Sequence, residues 1–312
     1  MHLELAVPAL FAEREIPRLP ALELLLARGR VSRAEPLSIE KWLCCAFDLE
    51  LQTVPAGALT VVADGGEPGT DFWLRADPVH LRVERDGLAL VPSAGFTVAR
   101  EEAAALAEAL NRRFGDEFTL YPLHPARWCL RSRDEIALEA PPPLEIAGRN
   151  VDAHLPARRW HPLLNEIQMV LHEHPVNAAR EVPINSLWLW GAGRIPAAAR
   201  GPWQSTSASE PIALGLARLA GMRQRALPPG AAEWLDRAPE NGRHLIVLDQ
   251  LRTADALGRL DAAWFAPLLD ALRRGRIEMI TVHAPEAGAS YETMRGDLRR
   301  FWRRARPIAS PA

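Results

Sequence analysis

The sequence predicts an α/β fold, a core sheet flanked by helices and interrupted by an inserted α+β domain. Three observations predict it. Helix and strand patterns alternate near both ends of the chain. A β-rich stretch of short apolar runs and turn signals lies between them. The 312 residues, 48% hydrophobic and 24% charged, suffice for one large or two ordinary domains with a real core. This pattern assigns residues 1–60 and 200–312 to the core and 61–199 to the insertion.

Taken in order, residues 2–10 alternate loosely and predict a first strand, and PALELLLARGR at 20–30 has helical apolar spacing with a stop near Gly29. Residues 37–47 predict a second short helix. Leu59–Ala63 is an apolar run read as a strand, ended by the turn signal Asp64-Gly65-Gly66. Short strands are predicted at Phe72–Arg75, Val79–Val83 and Leu88–Val91, with Asp86-Gly87 marking a hairpin. Arg100–Arg113 (REEAAALAEALNRR) predicts a helix with acids at its start and arginines at its end, as the helix dipole favours. Strands follow at 117–121, 127–131 and 135–138, then a stiff Ala140-Pro141-Pro142-Pro143 connector. LLNEIQMVLHE at 163–173 predicts a helix bracketed by Pro162 and Pro175, and INSLWLW at 184–190 a buried strand. Towards the C-terminus come a strand at 245–248, an amphipathic helix at 261–274, a strand at 278–282 and a basic helix at 291–304.

Composition narrows the function. The formal net charge is −2, with no basic surplus to favour phosphate backbones or anionic lipid, so neither nucleic acid nor membrane is expected as a partner. Lys41 is the sole lysine, a bias that suits a GC-rich genome. Cations available to a buried anion are therefore planar guanidiniums, suited to bidentate binding of carboxylate or phosphate. Cys44, Cys45 and Cys129 form no CxxC pair and are odd in number, which argues against a zinc ribbon and a secreted disulfide framework. The start MHLELAVPALFAERE carries acids at once and does not read as a signal peptide, and no apolar run reaches the length of a membrane span. A cytoplasmic protein is expected.

The most informative stretch is His172–Pro196, HEHPVNAAREVPINSLWLWGAGRIP. Gly191 and Gly193 allow a sharp bend after a buried strand. Arg180 and Arg194 are expected to converge with Asn177 and Asn185 on a pocket walled by Trp188 and Trp190, suited to a phosphate or carboxylate. The alternative is that the tryptophans are core, the asparagines caps and the arginines solvated.

HPVNAAR followed by NSLWLWGAGRIP resembles the archaeal-type cofactor-independent phosphoglycerate mutases of the alkaline phosphatase superfamily. The likeness extends to FWLRADPVHLRV at 72–83, Ser93-Ala94-Gly95 with the helix after it, Leu120–Trp128, and PLEIAGRNVDAHLP at 143–156. It covers roughly residues 60–222. The resemblance implies an alkaline-phosphatase-like core sheet, an inserted substrate-recognition domain, and Arg75, Arg127, Asn177, Arg180, Asn185 and Arg194 at ligand-side positions. A small anion such as phosphoglycerate is the implied ligand, and the oligomeric state stays open.

The family's chemistry, as the resemblance implies it, is metal-dependent phosphoryl transfer through a serine and two divalent ions held by Asp and His. This chain departs there. Leu5-Ala6-Val7-Pro8-Ala9 carries no carboxylate after the first strand, and Thr281-Val282-His283 has valine where the family has aspartate. Asp64, Asp249, Asp255 and His283 remain as candidates for a residual metal site. Ser205, Ser207 and Ser209 read as a flexible polar loop, and His172 and His174 do not share a helix face. No cofactor is expected unless a divalent metal serves that residual set. Three readings follow: a degenerate mutase-like protein with a retained anion pocket, an active mutase or phosphatase using an altered metal set, or a non-catalytic interaction protein. The arginine run at 299–306 would dock an acidic partner or form a solvated helix face.

Overall fold

In the computed structural model, every residue is described except 9, 12–16, 86, 152–153, 155–159, 238–240, 250–257 and 309–312. The chain divides into two compact units, Met1–Leu51 with Ala198–Ala312, and Gln52–Ala197.

The first unit is built on a seven-stranded sheet. Its strands are β1 (His2–Ala6), β2 (Arg30–Arg33), β8 (Ser205–Ala208), β9 (Arg223–Ala226), β10 (Arg243–Val247), β11 (Met279–Ala284) and β12 (Ala289–Met294). They lie in the order β2-β12-β11-β1-β10-β8-β9, with the β2–β12 and β12–β11 pairings antiparallel and the rest parallel. Strand alternation sorts the two faces. Leu3, Leu5, Ile246, Ile280 and Val282 point to one face and share a core with α1 (Pro20–Arg28), α8 (Ala231–Arg237) and α9 (Ala266–Arg274). Glu4, Thr206, Thr281 and His283 point to the other, where the Trp42 ring of α2 (Ile39–Ala46) lies tilted against His283. A mixed α/β architecture with a helix-flanked sheet is thus present. Helix α1 stops at Gly29, and α2 starts where the Ser38 hydroxyl accepts the Lys41 N–H.

The second unit carries a five-stranded antiparallel sheet. Its centre is β3 (Phe72–Glu84), flanked by β4 (Gly87–Pro92), β6 (Arg127–Ser132) with β5 (Phe118–His124) beyond it, and β7 (Ser186–Gly193). Helices α4 (Arg100–Phe114) and α5 (His161–Glu173) cover one face through a core that includes Leu74, Leu106, Leu110, Trp128, Ile167 and Leu189. The short α3 (Ala56–Ala63) covers the other, with Ala58 and Val61 against Trp73 and Cys129. A brief helix α6 (Pro175–Ala178) leads from α5 towards β7, and α7 (Pro211–Leu219) packs on β8 in the first unit.

Several expectations are corrected. Leu59–Ala63 is helical, not a strand, because its small residues let α3 approach the sheet; a Cβ on Gly57 would lie 2.5 Å from the Leu74 backbone. The two strands expected on either side of Pro78 are one. Val79 and Leu81 turn their backbone groups to the β7 side, where Asn185 meets them. Pro78 therefore faces the other edge, at the gap between β6, which ends its pairing at Arg75, and β4, which begins at Val79. The hairpin between β3 and β4 forms as read, although Asp86 itself lies outside the described residues.

No strand forms at 135–138, which finds no ladder partner. The basic helix at 291–304 is replaced by β12, whose Ala-Ser-Tyr-Glu-Thr run pairs with β11, and by a single 3₁₀ turn at Arg295–Arg299. The serine stretch is no loop: Ser205 and Ser207 lie in buried β8, bonded to His244 Nδ1 at 2.8 Å and Trp234 Nε1 at 2.9 Å. Instead of bending after residue 190, β7 continues through a bulge. Three steps from Trp190 to Gly193 oppose two from Arg75 to Trp73, with Gly191 at φ 60°.

Candidate functional site

The arginine-and-amide cluster separates into two groups in the second unit. On β3, residues two apart share a face, so Arg75 and Asp77 lie side by side beneath α3. Both are buried. Arg75 donates from Nη2 and Nε to Asp77 Oδ1 at 2.5 and 3.1 Å, and from Nη1 to Thr60 Oγ1 at 3.3 Å. Its guanidinium lies 5.2 Å from the centre of the Trp190 ring, and Trp190 Nε1 donates to Asp77 Oδ2 at 2.7 Å. Both carboxylate oxygens and the indole N–H are thereby satisfied, as burial demands.

Arg127 opens β6 and meets Asp64, the residue that ends α3. It donates from Nη2 to Oδ1 at 2.5 Å and from Nε to Oδ2 at 3.3 Å. This pair is half-buried, and among the described residues Nη1 takes no hydrogen bond. His124 closes the group. Burial holds its pKa below the usual imidazole range, and the positive charges of Arg127, Arg75 and Arg100 lower it further against the pull of Asp64. Buried Cys129 feels three of the same charges, Arg75, Asp64 and Arg127, together with Asp77, and burial pushes its thiol up to about 12. Arg75 and Arg127 therefore act on a common neighbourhood.

The other four predicted residues hold backbone instead. Asn177 is buried and clamps three backbone groups, donating to Leu171 O and Ile184 O at 2.6 and 2.8 Å and accepting the Ile184 N–H at 2.8 Å. Asn185 pairs with Leu81 like an added strand residue, through bonds of 2.7 and 2.8 Å. All three guanidinium nitrogens of Arg180 are engaged, by Val182 O, Glu102 and Thr97 O, and the group lies over Phe96. Arg194 is exposed, bonded to Glu135 and Thr70 O. The expected convergence of Arg180 and Arg194 with Asn177 and Asn185 does not occur; only Asn177 and Asn185 share a groove, between α5 and residues 183–185. Trp190 walls the Arg75 pair, whereas Trp188 donates to Pro141 O.

In the first unit, His283 bonds Glu4 Oε2 at 3.2 Å and Ser290 Oγ at 2.8 Å. Arg243 donates to Glu4 Oε1 at 2.7 Å. Burial opposes the charge on Glu4, but His283 and Arg243 together hold its pKa below the usual carboxylate value. Glu210 caps α7 by accepting the Ala213 N–H at 2.6 Å, and burial, with Glu40 and Asp249 adding repulsion, pushes it up to about 8. Glu40 Oε2 is buried without a hydrogen-bond partner among the described residues.

These donors do not fit a two-metal centre. Glu4 and His283 satisfy each other, Glu210 is engaged in capping α7, and no three His, Cys, Asp or Glu side chains converge suitably among the described residues. Asp64 is spent on Arg127, and Asp255 lies outside the described residues. Sequence reading missed Asp77, Thr60, Glu4, Glu40 and Glu210. The Arg-x-Asp spacing on a strand signals the first, and Glu210 before Pro211 is a helix-start signal.

Fold and site define a mixed α/β protein whose second, α+β unit carries a buried and half-buried arginine pair. Residues 57–177, all within that unit, match the family model of 2,3-bisphosphoglycerate-independent phosphoglycerate mutase. A probable mutase of this kind from Geobacter sulfurreducens is 28% identical over 57% of this chain and 50% of its own length. One from Methanosarcina barkeri is 31% identical over 57% of this chain and 48% of its own. The chain is similar to that family, the one its HPVN and WLWG segments resemble. It spans about half the length of the curated relatives it matches. The structure of the PH0037 protein from Pyrococcus horikoshii shares the fold, with a TM-score of 0.57 at 11% identity over 94% of this chain and 87% of that one. No described helix is long and apolar enough to cross a membrane.

Proposed function

We propose that this chain is a cytoplasmic phosphoglycerate-mutase-like protein, degenerate in metal-dependent phosphoryl transfer, that holds a small phosphorylated or carboxylated molecule at the Arg75–Arg127 group. One observation carries the reading. Two arginines of the family-like region bear on one histidine, and Arg127 keeps a guanidinium nitrogen without an acceptor among the described residues. A guanidinium already anchored on a carboxylate is held in place for an incoming anion. Asn177, Arg180 and Asn185 serve the site by fastening the backbone that leads into β7, whose Trp190 lies against Arg75. Arg194, exposed beside Phe72, is the outlying ligand-side candidate.

Calorimetry with 2- and 3-phosphoglycerate tests the reading. Arg127→Met should weaken binding about tenfold or more, and Asp64→Asn, which keeps an oxygen to hold the guanidinium but removes the competing negative charge, should tighten it by a similar factor. No heat and no thermal stabilisation of the wild-type chain at millimolar ligand would end it. Interconversion of the two phosphoglycerates, or phosphate release, by the chain loaded with manganese, magnesium or zinc would remove the word degenerate. It would leave the anion site standing.

A further inference from the structure

The C-terminal part of the first unit carries a surface that the anion site does not use. Residues 295–308 hold six arginines against one aspartate, although the whole chain is slightly negative. The segment is fastened from beneath. Leu298 and Ile308 pack partly buried on the core, Arg300 donates to Arg28 O at 3.1 Å, and Arg303 to Gly29 O at 2.8 Å. Arg28 donates back to Leu298 O. Between these anchors Phe301 and Trp302 stand 78% and 66% exposed, edge to face at 5.3 Å. Val31, next to the 28–30 junction on edge strand β2, is also exposed. Large apolar side chains are normally what such anchoring buries, so two aromatics left outside a tied-down segment mark a contact surface.

Trp302 also forms one wall of an open groove of about 530 Å³, whose floor includes Leu26 and Ile308 and whose rim carries Arg303, Arg304 and Arg306. Trp and Arg are prominent among the side chains that dominate protein–protein binding energy, and Phe is enriched at interfaces. We propose that this groove docks an acidic segment of a partner protein, with an aromatic or aliphatic anchor in the groove and carboxylates on the arginine rim. The shape selects this partner. A bilayer is too flat to reach a concave floor. A phosphodiester strand carries no aliphatic side chain to fill the floor, whereas an apolar anchor meets it and leaves its acids at the rim.

The test uses the full chain and a fluorescein-labelled peptide with Leu-Phe at its centre and four Glu or Asp on each side. Anisotropy should show saturable binding that weakens as salt rises. Binding should weaken about tenfold or more in Phe301→Ser/Trp302→Ser and in Arg304→Glu/Arg306→Glu, and when Leu-Phe in the peptide becomes Ser-Ser. These side chains are exposed, so both variants should keep the wild-type unfolding midpoint, which is measured alongside. The proposal falls if the peptide does not bind saturably, if the variants bind as the wild type does, or if the Ser-Ser peptide binds equally. It falls also if oligouridylate or phosphatidylserine vesicles are preferred to the peptide. None of these outcomes bears on phosphoglycerate binding, which is measured separately.

Discussion

Replacing Arg75 by Met tests whether the buried pair at the centre of the second unit is coupled as its geometry implies. The Arg75 and Asp77 side chains are only 8% and 3% exposed, so the carboxylate left behind cannot turn to water. Removing one partner of such a pair typically costs about 3–5 kcal/mol. Asp77 keeps the Trp190 N–H on its second oxygen, which places the expected loss near the lower bound, about 3 kcal/mol. Asp77→Leu alone should cost a similar amount, because it strands a buried guanidinium. The double variant removes both charges together, so it should lose about 2–4 kcal/mol less than the sum of the single losses. Denaturant titration followed by hydrogen exchange of the β3 amides reports the second unit specifically, since a chain of two units need not unfold in one step. A single-variant loss below about 1 kcal/mol, or additive losses in the double variant, would refute the coupling.

Three further outcomes are expected. Burial raises the Glu210 pKa from its ordinary 4.5 to about 8, so its contribution to stability is full below 4.5 and is lost as pH rises through 8. Glu210→Gln should flatten that fall and be more stable than the wild type at pH about 9, read as the thermal midpoint across pH; an unchanged slope counts against the assignment. Gly191→Ala meets both a φ of 60° and a Cβ 2.4 Å from the Ala56 Cβ, and should lower unfolding free energy by about 2–4 kcal/mol in the same exchange measurement. Burial pushes the Cys44 and Cys129 thiols up to about 12 while Cys45 is exposed. A thiol reagent at neutral pH should therefore label one cysteine quickly in the native chain and all three after denaturation, followed by mass.

Helix ends and isolated strands were legible because their signals are local. Gly29 stops α1, Arg100–Phe114 has its charges ordered along the dipole, and the β3–β4 hairpin follows from Asp86-Gly87. The errors arose where partners far along the chain decide. Leu59–Ala63 has an apolar run that suits either state, and becomes α3 because Gly57 lets it approach Leu74. The residues from 289 to 294 become a strand because β11 offers an open edge to pair with.

The same division holds for the site. Residue types alone suggest a pocket of arginines and amides around Asn177, Arg180, Asn185 and Arg194, and the family resemblance adds Arg75 and Arg127 as ligand-side candidates. Tertiary structure decides which groups are already spoken for: Asp77 and Asp64 neutralise those two arginines, and Glu4 occupies His283. It also turns Arg180, Asn177 and Asn185 into backbone clamps. The reason is that hydrogen-bonding capacity belongs to an atom's surroundings. A sequence lists donors and acceptors, but only packing pairs a donor with an acceptor a hundred residues away, as it pairs Trp190 with Asp77.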